Sequence, residues 1–103
     1  MSPDRTAHDG VLDETRQEIK KPTLYKVLLL NDDYTTMEFV VQILENIFHK
    51  TPAEAYRIMM QVHTAGRGIC GAYSYDVAET KVATTQELAK QEGFPLQATL
   101  EEE

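Results

Sequence analysis

Cysteine is nearly absent from this chain: of its 103 residues only Cys70 is one. That excludes an internal disulfide and any cysteine-rich zinc module, and nothing in the composition asks for an oxidising compartment. Positive charge is scarce as well, with 10 Lys and Arg against 17 Asp and Glu and a formal net charge of -7. Phosphate-rich partners would be repelled rather than steered in, so nucleic acid is not an expected ligand. Long apolar runs are also lacking. The longest in the middle of the chain is Val27 to Leu30, far short of the ~20 residues that span a bilayer. The first residues do not show the basic, then apolar, then small-residue order of a secretory signal. The expectation is a cytoplasmic protein without a membrane partner.

What is present suffices for a folded core. Hydrophobic residues make up 42% and charged residues 26%, too apolar on average for a wholly disordered chain and enough for one compact domain. Residues 1–21 are mostly polar and of mixed charge, and only Val11, Leu12 and Ile19 among them could seed burial. They read as a flexible tail, and residues 22–103 as the domain. Pro22 marks the change.

Leu24 to Leu30 is a mostly apolar run of strand length, suited to a strand covered on both faces or centrally placed. Asn31-Asp32-Asp33 ends it, because short polar side chains compete for backbone hydrogen bonds and favour a turn. Thr35 and Glu38 form a capping-box pattern, followed at helical spacing by Phe39, Val40, Ile43, Leu44, Ile47 and Phe48. This predicts a helix from there to about His49. Thr51-Pro52-Ala53-Glu54 starts a second helix with apolar residues Ala55, Ile58, Met59 and Val62, closed by a left-handed Gly66. Ile69 to Tyr73 reads as a short strand in which Gly68 and Gly71 permit close backbone approach. Ser74 or Asp76 caps a third helix that carries Val77, Ala78, Val82, Leu88 and Ala89 inward and ends at Gly93. Leu96 to Leu100 is a weaker last strand, before a solvated acidic end of Glu101, Glu102 and Glu103. The order predicts an α+β fold, a small three-stranded antiparallel sheet covered on one face by three helices.

Three groups of residues could carry chemistry. Asn31, Asp32 and Asp33 are accounted for as turn formers, yet the Thr35–Glu38 cap leaves the two carboxylates free to meet a cationic ligand beside an apolar face. His63 lies at the carboxy-terminal end of the second helix. It can simply complement the helix dipole, or serve as a hydrogen-bond partner beside an apolar hole. Met37, Val40, Met59 and Val62 would ordinarily be core, but methionines from two helices near a polar rim also suit a pocket for varied apolar side chains. No pattern implies a metal or cofactor.

These residues fall into blocks that closely resemble the ClpS family, the bacterial adaptor of the ClpAP protease that recognises N-degrons. The blocks are Tyr25 to Thr35, Met37 to Val40, Gln61 to His63 and Ala78 to Lys81, within a match from about Pro22 to Glu101. The resemblance implies that Asn31, Asp33 and His63 hold a substrate's terminal α-ammonium, with Asp32 and Thr35 shaping the same rim. It implies a first-residue pocket of Met37, Val40, Met59, Val62 and Leu96 that admits Leu, Phe, Tyr or Trp, with Met37 keeping β-branched residues out. It further implies a monomer that docks on the N-terminal domain of the ClpA AAA+ ATPase near Tyr73, Asp76 and Lys81, and whose tail assists hand-over. No catalysis is implied. Thr36 stands where many members have proline, and Phe94 replaces a common histidine and is expected to alter the rim near Leu96.

Two other readings fit less well. A phospho-acceptor pocket built on Asp32 and Asp33 belongs to a doubly wound sheet with about five strand-helix units, and this chain supplies three strands. A nucleophilic hydrolase lacks a basic partner for Cys70. A generic domain that binds an internal segment of its partner is distinguishable in that acetylating a peptide's terminus would not affect it.

Overall fold

The computed structural model describes residues 21–103. The expected tail, residues 1–21, lies outside the described residues except for Lys21. Element order is β1 (Tyr25–Leu30), α1 (Met37–Asn46), α2 (Pro52–Ala65), β2 (Arg67–Tyr73), α3 (Tyr75–Gln91) and β3 (Gln97–Glu102). The three strands form one antiparallel sheet in the order β2-β1-β3. The apolar run thus takes the central place that its composition suits.

Alternation along β1 divides its side chains between the two faces. Val27 and Leu29, both 0% exposed, join the helix-covered core. Leu28 points to the opposite face and is still only 2% exposed. Arg67 sits across from Leu30 on β2, and Glu101 across from Lys26 on β3. Their ion pair, 3.2 Å long, closes diagonally over Leu28. Such an exposed pair contributes little by Coulomb attraction, but its hydrocarbon stems shield the leucine from water. Glu101 and Glu102, expected as a solvated end, are therefore the last residues of β3.

A register shift opposite Val27 and Leu28 leaves Cys70 unpaired in β2 and turns it into the core. Burial pushes its thiol up to about 12, which makes it unreactive at neutral pH. At Gly68 β2 passes close against α2. A Cβ there would lie 2.8 Å from Val62 Cγ2 and 3.2 Å from the Ile58 carbonyl, so any larger residue would force β2 off the helix.

Helix α1 starts one residue later than the Thr35–Glu38 pattern predicts. Thr36 is the N-cap, its hydroxyl accepting the Phe39 N–H at 3.1 Å. The side chain of Thr35 is engaged elsewhere. α1 also ends at Asn46, short of His49, which takes a left-handed φ of 55°. The second capping box forms as expected between Thr51 and Glu54, with Pro52 first in the helix and Gly66 left-handed at its end. In α3 the buried residues are Ala78, Thr85 and Ala89, with Val82 packed against the core. Val77 and Leu88, predicted inward, are 44% and 36% exposed. Steps of four, three and four residues join Ala78, Val82, Thr85 and Ala89 into one straight stripe, and Val77 and Leu88 sit to its sides. Gly93 N–H bonds the Lys90 carbonyl and Phe94 N–H the Ala89 carbonyl, the Schellman arrangement that reverses the chain into β3.

Candidate functional site

At the end of β1 the Asn31 N–H donates to the Gly66 carbonyl at 2.9 Å. That bond draws the β1–α1 loop against the carboxy-terminal end of α2, where His63 projects. Between them lies an open cleft of about 210 Å³. The loop contributes Asn31, Asp32, Asp33 and Thr35, α1 contributes Met37 and Val40, and α2 contributes Met59, Val62 and His63. Nine of the residues singled out in the sequence thus border one cavity. Leu96 is not among them. It is 2% exposed and packed in the core.

The cleft has an apolar floor and a polar mouth. Val40, Met59 and Val62 are buried, at 6%, 4% and 3% exposure, whereas Met37 at the entrance is 45% exposed. Asn31, Asp33 and His63 are exposed. Among the described residues, no intramolecular hydrogen bond occupies their side chains. An amide oxygen, a carboxylate and an imidazole nitrogen can each accept a hydrogen bond. The group that such a mouth accepts best is a cationic donor carrying several N–H bonds and attached to an apolar side chain.

Asp32 has a different task. One of its oxygens accepts the N–H groups of Tyr34 and Thr35, at 2.7 and 2.6 Å, and the other accepts the Thr35 hydroxyl at 2.7 Å. Partial burial pushes the carboxyl up, but these bonds from Thr35 and Tyr34 outweigh it and hold Asp32 below the usual carboxylate value. Asp32 braces the loop, and its neighbours present their side chains from that brace. The sequence pattern, with Thr35 and Glu38 as the cap, predicts a free carboxylate at Asp32. With Thr36 capping instead, Thr35 is available to Asp32, and an Asx-turn preference of Asp was the signal for it.

Tyr73, Asp76 and Lys81 lie apart from the cleft, around the β2–α3 junction. Asp76 is exposed in the first turn of α3. The Lys81 ammonium donates to the Ile47 carbonyl at 2.6 Å and sits 5.5 Å from the Phe48 ring centre and 5.2 Å from that of Tyr73. It therefore ties the end of α1 to α3. No sequence pattern announces a contact between residues so far apart in the chain. Phe94 does not reach the cleft's mouth; its ring packs on Phe39 with centroids 5.0 Å apart. Among the described residues, no cluster of three His, Cys, Asp or Glu could hold a metal ion. No described helix is long and apolar enough to cross a membrane.

Known proteins are similar to this chain in sequence, and a solved structure is similar to it in fold. Residues 20–99 match the family described as ATP-dependent Clp protease adaptor protein ClpS. The ATP-dependent Clp protease adapter protein ClpS of Maricaulis maris is 56% identical over 94 residues, covering 91% of this chain and 86% of that protein. The protein of the same name from Parvibaculum lavamentivorans is 54% identical over the full length of both. Among solved structures, Agrobacterium tumefaciens ClpS2 bound to L-phenylalaninamide is similar with a TM-score of 0.78 at 43% identity, covering 81% of this chain and all of that one.

Proposed function

The chain belongs to the ClpS family of Clp protease adaptors, and from that premise we propose that it captures proteins by a free amino-terminal Leu, Phe, Tyr or Trp. The observation that carries the reading is the exposed trio Asn31, Asp33 and His63 at the mouth of a cleft floored by buried Val40, Met59 and Val62. A chain's α-amino group, with an unperturbed pKa of roughly 7.7 to 8.0, is mostly cationic at neutral pH and offers three donors. Asn31, Asp33 and His63 accept them. The first side chain enters the cleft, where burial of a leucine or phenylalanine contributes roughly 1.5–3 kcal/mol. Acetylation removes the charge and two donors, leaving acceptors unpaired at a cost of about 1–3 kcal/mol for each group that is desolvated. Neither half suffices alone. Capture of an amino terminus is a recurrent mode of peptide recognition.

The ligand of the Agrobacterium tumefaciens ClpS2 structure, L-phenylalaninamide, has the chemistry of a peptide's first residue: a free amine, a benzyl side chain and an amide. Its likeness to the proposed substrate supports the same use of the cleft here. In this reading the protein is a cytoplasmic monomer without catalytic activity. It docks through the surface around Tyr73 and Asp76, with Lys81 holding that surface together, on the N-terminal domain of the ClpA ATPase. There it delivers its cargo to ClpAP, with residues 1–21 as the tail that assists hand-over.

Fluorescence anisotropy tests the reading with a labelled peptide that begins with Phe, the same peptide acetylated, and one that begins with Ser. Tight binding of the free Phe terminus alone is expected. Equal binding of all three, or of none, would overturn it in favour of a domain that recognises an internal segment or another ligand.

A further inference from the structure

Helix α1 has open space on two flanks. On one, Met37 and Val40 face the candidate site. On the other, Phe39, Gln42, Ile43 and Ile47 border a second cleft of about 270 Å³, closed on its far side by Leu88 of α3 and Glu92 just past its end. At about 100° per residue these two sets of side chains lie to either side of the buried face of the helix. Two ties hold α1 to the α3 side, one near each end. They are the packing of Phe39 on Phe94, with centroids 5.0 Å apart, and the Lys81 bond to the Ile47 carbonyl. Between them Leu88 borders the second cleft and remains 36% exposed.

We propose that the second cleft is expansion room for the first-residue pocket. When a wide side chain enters, α1 rolls about its two ties toward α3, and the residues bordering the second cleft, Leu88 above all, set how wide a first residue is accepted. This rests on the capture of amino termini proposed above. A pocket with fixed walls that fits Leu would clash with an indole ring, and one that fits an indole would leave a void around Leu. Met37 and Met59 absorb part of that difference through their flexible thioethers. The yielding of a ten-residue helix, unfilled along one flank, absorbs the rest. Filling the second cleft removes that freedom without touching the cleft that holds the substrate.

The test fills the second cleft from either side, with Leu88→Phe on α3 and, separately, Gln42→Leu on α1. Both positions are exposed. Affinities for peptides beginning with Leu and Trp are measured for each variant and for the wild type, and circular dichroism checks the fold. The Leu peptide should bind close to wild type while the Trp peptide weakens about tenfold, the scale on which a misfit in an apolar pocket is felt. An unchanged ratio of Trp to Leu affinity in the folded variants, or an equal loss on both peptides, overturns the proposal. If Leu88→Phe does not fold, Gln42→Leu decides. A wild-type chain that binds neither peptide sinks amino-terminus capture and the expansion room together. A wild type that binds both, with variants of unchanged ratio, sinks the expansion room alone.

Discussion

The hydroxyl of Thr35 donates to Asp32 at 2.7 Å, and the other oxygen of the same carboxylate takes the N–H groups of Tyr34 and Thr35. All three bonds are stronger to the ionised acid than to the neutral one, so the folded state holds the Asp32 pKa below its ordinary value of 3.8. A depressed folded value means the stabilisation is complete above the unfolded pKa and is lost as pH falls through the folded one. Asp32→Asn should lower stability at pH 7 by about 1 kcal/mol, toward the low end for a charged hydrogen bond because the group is half-exposed. Urea midpoints of wild type and variant should converge as the pH falls below the ordinary value of 3.8. A gap that persists unchanged to the acid end would mean that the carboxylate does not brace the loop.

Asp33 and His63 are both exposed at the cleft's mouth. Alanine at either position should weaken binding of a Phe-initiated peptide about tenfold or more, equivalent to ~1.4 kcal/mol, while the melting temperature stays put. Anisotropy and a thermal melt on the same samples check both halves. Unchanged affinity in both variants would remove the site.

Met37 stands 45% exposed at the entrance while Val40 behind it is buried. Under the proposed capture of amino termini, its side chain is the one placed to exclude the extra methyl that a β-branched first residue carries near the backbone. Met37→Ala should admit peptides beginning with Ile or Val, with gains of about tenfold over wild type. Competition against a labelled Phe peptide measures it, and a variant that still rejects both would dispose of the gatekeeper role.

Lys81 is more than a surface charge. Its ammonium is half-buried against the Ile47 carbonyl and the rings of Phe48 and Tyr73. Lys81→Met keeps much of the hydrocarbon but removes the donor, and should cost about 1–2 kcal/mol in urea unfolding. Any loss of ATPase docking in this variant must then be compared with that of Asp76→Ala, whose side chain is exposed and should leave stability unchanged. A fully stable Lys81→Met protein would refute the tie.

What was legible in the sequence rests on interactions that close within a turn or two of chain. The Thr51–Glu54 box, Pro52 and Gly66 define α2 to its ends, because each contact joins residues three or four apart. The apolar run of β1 suited a strand covered on both faces or centrally placed, and β1 is the central strand, with Val27, Leu28 and Leu29 all buried. The cleft's nine residues were identifiable from their blocks and from the family resemblance those blocks carry.

Where two local solutions competed, the chain's path through space chose between them. Thr35 and Thr36 are both plausible caps; the loop's fold back onto Asp32 engages one and leaves the other to α1. Leu88 looked like core beside Ala89, but the axis of α3 over the sheet put Thr85 inward instead. Leu96 lies in the core rather than at the cleft because the turn after Gly93 carries it under the helices. The sequence by itself determined the elements, the caps of α2 and the chemical character of the cleft, since these depend on periodicity and short-range hydrogen bonds. Only the tertiary structure decided which carboxylate braces the loop and which one is left exposed at the cleft's mouth, that Lys81 ties α1 to α3, and that α1 is bordered by two clefts. Each of these depends on the distance between residues far apart in the chain, which packing sets and local propensity does not.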